Sequence, residues 1–296
     1  MSKATRARQQ NARQKVAAQR AAARRAERRK RILIAGGSVA VVIAIVVAFV
    51  VIKATNKPSS SGSGGIPVTG TALPASVTTN VTSVSPGTLD TVGAGSLSGG
   101  LPLKAITDTA LTSNGKPEML YIGAEYCPYC AAMRWSMAVA LSRFGTLSPL
   151  HGIYSSSSDV DPHTATLTFY KSSYSSNYLV FTPVENETVT RAPLQNTTAA
   201  QLALWQKYDS SSGGLGYPFI DIGNKYVITG PLFDPAVLAG LTWAQIAADP
   251  HNPSSPVAAA VDGAANVITA AICKTTSGQP ASVCTSAAVT KASGAL

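Results

Sequence analysis

Histidine and acidic residues are scarce, and cysteine occurs four times in 296 residues. His151, His163 and His251 stand apart from one another among turn residues, which places them on the surface rather than in a catalytic cluster. Cys130 is followed by Ala131, so the histidine required for haem attachment is missing. The other two cysteines, Cys273 and Cys284, have no histidine at finger spacing, which argues against a zinc site. Residues 1 to 31 contain one acid, Glu27, against twelve Lys or Arg, a net of +11; the remaining chain nets −1. The overall formal charge of +10 therefore belongs to one tail and implies no nucleic-acid-binding domain. Aromatic residues make up 6% of the chain, while Ala, Ser, Thr, Gly and Val are plentiful. A surface of small polar residues suits an exported protein.

What is present first is a long apolar run. Residues 32–52, ILIAGGSVAVVIAIVVAFVVI, contain no charge and are bounded by Arg31 and Lys53. As a helix this run would extend about 31 Å, close to the hydrocarbon thickness of a bilayer. A cleaved signal peptide would carry a shorter apolar region and a small-residue cleavage site; here KATNKP follows, and a retained transmembrane helix is the preferred reading. No cysteine adjoins the run, which excludes a lipoprotein anchor. The cluster Arg24, Arg25, Arg28, Arg29, Lys30, Arg31 precedes it directly. Such flanks stay inside, so the tail 1–31 is expected in the cytoplasm and the C-terminal part outside, at the cell membrane. The tail is read as an orientation signal that also meets anionic lipid, in preference to an RNA-binding segment.

The segment 53–100 reads as a flexible linker, KPSSSGSGG at 57–65, followed by an extended arm rich in Thr, Ser, Val and Gly. From residue 101 to 296 the pattern alternates strands with helices, which predicts an α/β domain. Strands are expected at 119–124, 152–158, 165–170 and 177–184, and helices at 131–145, 199–208, 234–248 and 254–273. PFIDIG (218–223) and KYVITG (225–230) predict a hairpin turning at Gly223–Asn224.

Cys127 and Cys130 fall where a predicted strand meets a predicted helix. At a helix N-terminus, unpaired N–H groups and the dipole stabilise a thiolate, the nucleophile of disulfide exchange. Pro128 fits the first helical turn, where its missing N–H has no cost. One turn brings Cys130 within bridging distance of Cys127. Cys127 is expected to be the exposed attacking sulfur and Cys130 the shielded resolving one. An inert disulfide, half a zinc site and a haem attachment site are the competing readings, and redox chemistry is preferred to them.

GAEYCPYC (123–130) resembles the active-site loop of the thioredoxin-fold superfamily, in the Cys-Pro-Tyr-Cys form typical of glutaredoxins. GYPFIDIGNKYVITG (216–230) resembles the segment of that fold in which a cis-proline opens a strand and a glycine closes the hairpin. The resemblance spans roughly 101 to 250. It implies a thioredoxin-like central sheet with flanking helices, a cis-Pro218 preceded by Tyr217, and Gly230 as the closing glycine. It further implies a substrate groove shaped by Tyr126, Pro128, Tyr129, Tyr217 and Pro218. The chain as a whole resembles the uncharacterised family domain of unknown function 929. Thioredoxins carry a buried acid six residues before the first cysteine; here that position is Tyr121. Glu125 lies near the motif and is expected to be solvated.

Cys273 ends an apolar helix, and a turn-rich loop separates it from Cys284. A structural disulfide is preferred to a relay pair exchanging electrons with Cys127 and Cys130. Asn80, Asn186 and Asn196 stand in Asn-x-Thr sequons. The function expected is that of a membrane-tethered thiol–disulfide oxidoreductase. It would act on exported thiol or disulfide proteins and be recycled by a membrane or extracytoplasmic redox partner. It would need no metal or other cofactor and bind no nucleic acid. The rival is a non-catalytic cell-envelope binding module whose cysteine pairs are both structural.

Overall fold

A computed structural model describes residues 70–97, 102–209 and 215–296. The basic tail 1–31, the apolar run 32–52 and the linker 57–65 lie outside the described residues. Short strands β1 (Thr71–Ala72), β2 (Leu103–Ala105) and β3 (Thr112–Ser113) precede the first long one, β4 (Lys116–Gly123). Helices α1 (Ala75–Thr82) and α2 (Pro86–Val92) lie between β1 and β2. This corrects the extended arm expected before residue 100. β-Branched residues are poor helix formers, but packing overrides propensity here. Val77 and Val81, one turn apart, are both buried, and Ser85 caps α2 by accepting from the Thr88 N–H.

β4 is apolar throughout its second half because both of its faces are covered. Met119 and Tyr121 belong to the larger core, while Leu120 and Ile122 belong to a smaller one with Trp205 and Phe219. Helix α3 (Pro128–Ser142) follows after a four-residue turn. The chain then makes an excursion through β5 (Gly145–Ser148), β6 (His151–Tyr154), β7 (Ala165–Thr168) and β8 (Ser173–Ser176). These strands pair among themselves and with β1, as β5–β8 and β1–β6–β7. Next come β9 (Val180–Glu185), α4 (Ala199–Tyr208), β10 (Phe219–Ile222) and β11 (Tyr226–Thr229). Thr198 caps α4 through a reciprocal capping box with Gln201, as its sequence indicates. Gly223 and Asn224 both have positive φ, 67° and 54°, in the three-residue loop that joins β10 to β11.

The central sheet runs β2–β11–β10–β4, with β9 parallel to β4 on its other side and β3 pairing the start of β4. The fold is a mixed α/β arrangement of helices with several sheets. Residues 234–248 were expected as one helix. They form a 3₁₀ turn, Pro235–Leu238, and a separate α5, Trp243–Ala248, because Gly240 at φ 72° breaks the run. Helix α6 (Pro256–Thr275) is long and apolar enough to cross a membrane, but it lies mid-chain and most of it is buried against the rest of the protein. It is buried on nearly all sides because it is a core helix, packed on α3. Two short helices close the chain, α7 (Ala281–Cys284) and α8 (Ala287–Ala292).

Candidate functional site

β4 carries the chain to Gly123, and α3 begins at Pro128, so the motif sits on the connection between the middle strand and its helix. Cys127 is the N-cap of α3: its Sγ accepts from the Cys130 N–H at 3.4 Å. Pro128 occupies the first helical position and is buried. On its other side the Cys127 thiol donates to the Tyr217 carbonyl at 3.8 Å. The Tyr217–Pro218 peptide bond is cis, and Pro218 leads directly into β10. The structure thus brings Cys127, Cys130, Tyr126 and Tyr217 into one cluster, although Cys130 and Tyr217 are far apart in the chain. Tyr126 and Tyr217 meet edge to face, centroids 6.2 Å apart. Tyr129 points outward, 37% exposed.

Cys127 was expected to be exposed and Cys130 shielded. The order holds but the degree does not: Cys127 retains 5% exposure and Cys130 none. Both carry free thiols. The Cys130 thiol beside it lowers the Cys127 pKa, with help from backbone N–H groups and Arg134, against the opposing effect of burial. Burial pushes the Cys130 thiol well above the usual range, and a negative charge on Cys127 pushes it further. One sulfur is thus poised to ionise and the other to stay protonated.

The sequence reading missed the groups beneath and beside the motif. Arg134 is fully buried one turn after Cys130 and grips fully buried Glu185 in two hydrogen bonds, Nε to Oε1 at 2.8 Å and Nη2 to Oε2 at 2.7 Å. Nη2 also donates to the Ala124 carbonyl at 2.8 Å, which ties the motif loop to the helix. The signal was visible: in AAMRWSMAVAL a single charge interrupts an apolar helix. Glu185 is brought there by the parallel pairing of β9, which sets it beside Gly123. Glu125, expected in solvent, is fully buried and accepts from the Thr168 hydroxyl at 2.7 Å. The reason is β7, which packs on α3 and covers the loop.

A polar cleft of about 360 Å³ opens beside Tyr217, lined by Asn186, Glu187, Arg191, Gln195 and Asn196 among others. Arg191 stacks its guanidinium 3.7 Å over the Tyr126 ring and pairs with Asp159 at 2.9 Å, joining two loops across the rim. Asn186 donates to the Tyr217 hydroxyl at 3.1 Å, and burial pushes that phenol up to about 12. Tyr217 is therefore neutral at physiological pH. Among the described residues no three His, Cys, Asp or Glu side chains group as a metal site.

Cys273 and Cys284 form a disulfide joining the end of α6 to α7. Thr275, two residues beyond Cys273, packs on Gly223 at the turn of the β10–β11 hairpin, whereas Cys127 meets Tyr217 just before β10 begins. The two pairs lie toward opposite ends of β10. Closing so short a loop restricts the unfolded chain, so Cys284→Ser is expected to reduce stability by about 3 kcal/mol, measured by chemical denaturation without reductant.

Residues 103–274, more than half of the chain, match the family model described as Domain of unknown function (DUF929), and the chain belongs to that family. No curated protein and no solved structure matches it.

Proposed function

We propose that this member of the DUF929 family is a membrane-tethered thiol–disulfide oxidoreductase built on a thioredoxin fold. The order β9–β4–β10–β11 supports that fold: a parallel pair, then an antiparallel hairpin, with a helix after each of β4 and β9. The excursion from β5 to β8 is the insertion that carries the chain away from thioredoxins in this stretch. The observation that carries the reading is the asymmetric pair. Cys127 caps a helix, keeps a window to solvent and has a lowered pKa, while Cys130 is sealed and protonated. That is the division of labour disulfide exchange requires. Tyr126, Pro128, Tyr129, Tyr217 and Pro218 border the window and form the proposed substrate contact. The apolar run 32–52 and its basic flank support an anchor with the domain outside the cytoplasm. There it would meet exported thiol or disulfide proteins and a redox partner that recycles the pair.

The 5% exposure of Cys127 favours a second reading, a binding module that keeps the fold without turnover. Alkylation separates the two. In the reduced full-length chain, Cys127 should react with iodoacetamide with a pH midpoint below the ordinary thiol value of about 8.5. The lowered pKa means that reactivity appears as pH rises through that midpoint and persists above it. The same chain should reduce insulin with dithiothreitol as electron source. An inert Cys127 and no insulin reduction would overturn the oxidoreductase reading in favour of the module.

A further inference from the structure

The inference rests on the oxidoreductase reading and concerns how Cys130 ionises. Tyr121 stands on β4, six residues before Cys127, and is fully buried. Phe169 holds its ring edge-on at 5.5 Å, and the Arg134 guanidinium carbon lies 5.9 Å from the ring centroid. Its hydroxyl sits against Gly123, where a Cβ would collide with it, so only glycine leaves room for this tyrosine. Among the described residues Arg134 Nη1 makes no hydrogen bond, and the buried Tyr121 hydroxyl finds no well-aligned acceptor, its interaction being with the Cys130 side chain. Buried donors are nearly always well paired, so two poorly matched donors in one small region require a reason.

Cys130 is the neighbour they share. Arg134 lies four residues along the same helix, on the same face. The Tyr121 hydroxyl borders the Cys130 sulfur. A thiol is a weak acceptor, whereas a thiolate is a strong one. Both donors are poorly matched while Cys130 is a thiol and would be better matched by its thiolate.

We propose that Tyr121 is a positioning residue for the resolving step, its hydroxyl donating to the Cys130 thiolate alongside the Arg134 guanidinium. In that step Cys127 is already joined to a substrate sulfur. Cys130 gives up its proton and its sulfur attacks Cys127 Sγ. The Cys127–substrate S–S bond breaks and the Cys127–Cys130 bond forms. The substrate sulfur leaves with the electron pair and takes up the proton. The protein dithiol is oxidised by two electrons and the substrate disulfide is reduced.

The reagent 5,5′-dithiobis(2-nitrobenzoate), followed by stopped flow on the reduced full-length chain, resolves the two attacks. Cys127 releases one coloured thiolate, then Cys130 releases a second. Tyr121→Phe removes only a hydroxyl whose partner in the thiol form is the weakly accepting Cys130 sulfur, so the fold is kept. It should leave the first phase unchanged, slow the second about tenfold at neutral pH, and move its midpoint up by about one pH unit. A second phase within twofold of wild type with an unmoved midpoint overturns the inference and leaves the oxidoreductase reading standing. Equal slowing of both phases also overturns it, because that marks a loosened site. Absence of the first phase in the wild type overturns both.

Discussion

Cys130→Ser is expected to leave Cys127 covalently joined to its substrates. If the pair turns over as proposed, the resolving sulfur one helical turn away attacks intramolecularly and mixed disulfides are short-lived. Serine cannot complete that attack. Adducts should rise about tenfold or more over wild type, because the lost step had the advantage of a tethered nucleophile. They should appear as high-mass bands on non-reducing gels of cells expressing the full chain, and collapse on reduction. Cys127→Ser should give none, since burial holds the remaining Cys130 protonated and sealed. Equal adducts from the two variants would sink the assignment of roles. Adducts recovered from Cys130→Ser also identify the substrates by mass, which no feature of the cleft does alone.

Much of this site was legible in the chain because its parts are local. A strand, a capping cysteine, a proline at the first helical position and a second cysteine one turn on are all set within fifteen residues. Pro218 was legible through the resemblance of GYPFIDIGNKYVITG to the thioredoxin-fold segment in which a cis-proline opens a strand, and that segment is itself local. The packing around the motif was not, because it depends on distant segments. Glu125 looked solvated until β7, forty residues on, was seen to cover it. Asp262 lies within the apolar core helix α6, and its burial, which raises its pKa to about 8, is set by neighbours that no window of sequence contains. The helices at 75–92 were missed for the same reason. Their Thr, Ser and Val content argues against helix locally, and contacts to α5, α6 and α8 decide otherwise.

Arg134 offers the sharpest test of how the site is held. Neither it nor Glu185 has any exposure, so each charge is tolerated chiefly through the other. Burial alone would push the guanidinium's pKa down; the Glu185 charge reverses this and holds it well above its ordinary value. Arg134→Met is therefore expected to cost about 3–5 kcal/mol, because it strands a carboxylate in the interior. Glu185→Leu should cost a similar amount for the mirror reason. The double variant should recover most of the loss, since an apolar pair of similar volume avoids the desolvation of both charges. Chemical denaturation followed by tryptophan fluorescence measures all three. Additive losses would show that the two groups act separately, contrary to their bidentate contact. If the double variant is stable, its Cys127 separates stability from function. The Ala124 carbonyl has lost its guanidinium partner there, and the motif loop is no longer tied to α3. Alkylation of Cys127 should then shift to higher pH, because Arg134 is one of the groups lowering its pKa. A stable double variant with an unshifted profile would mean that the buried pair serves the fold alone.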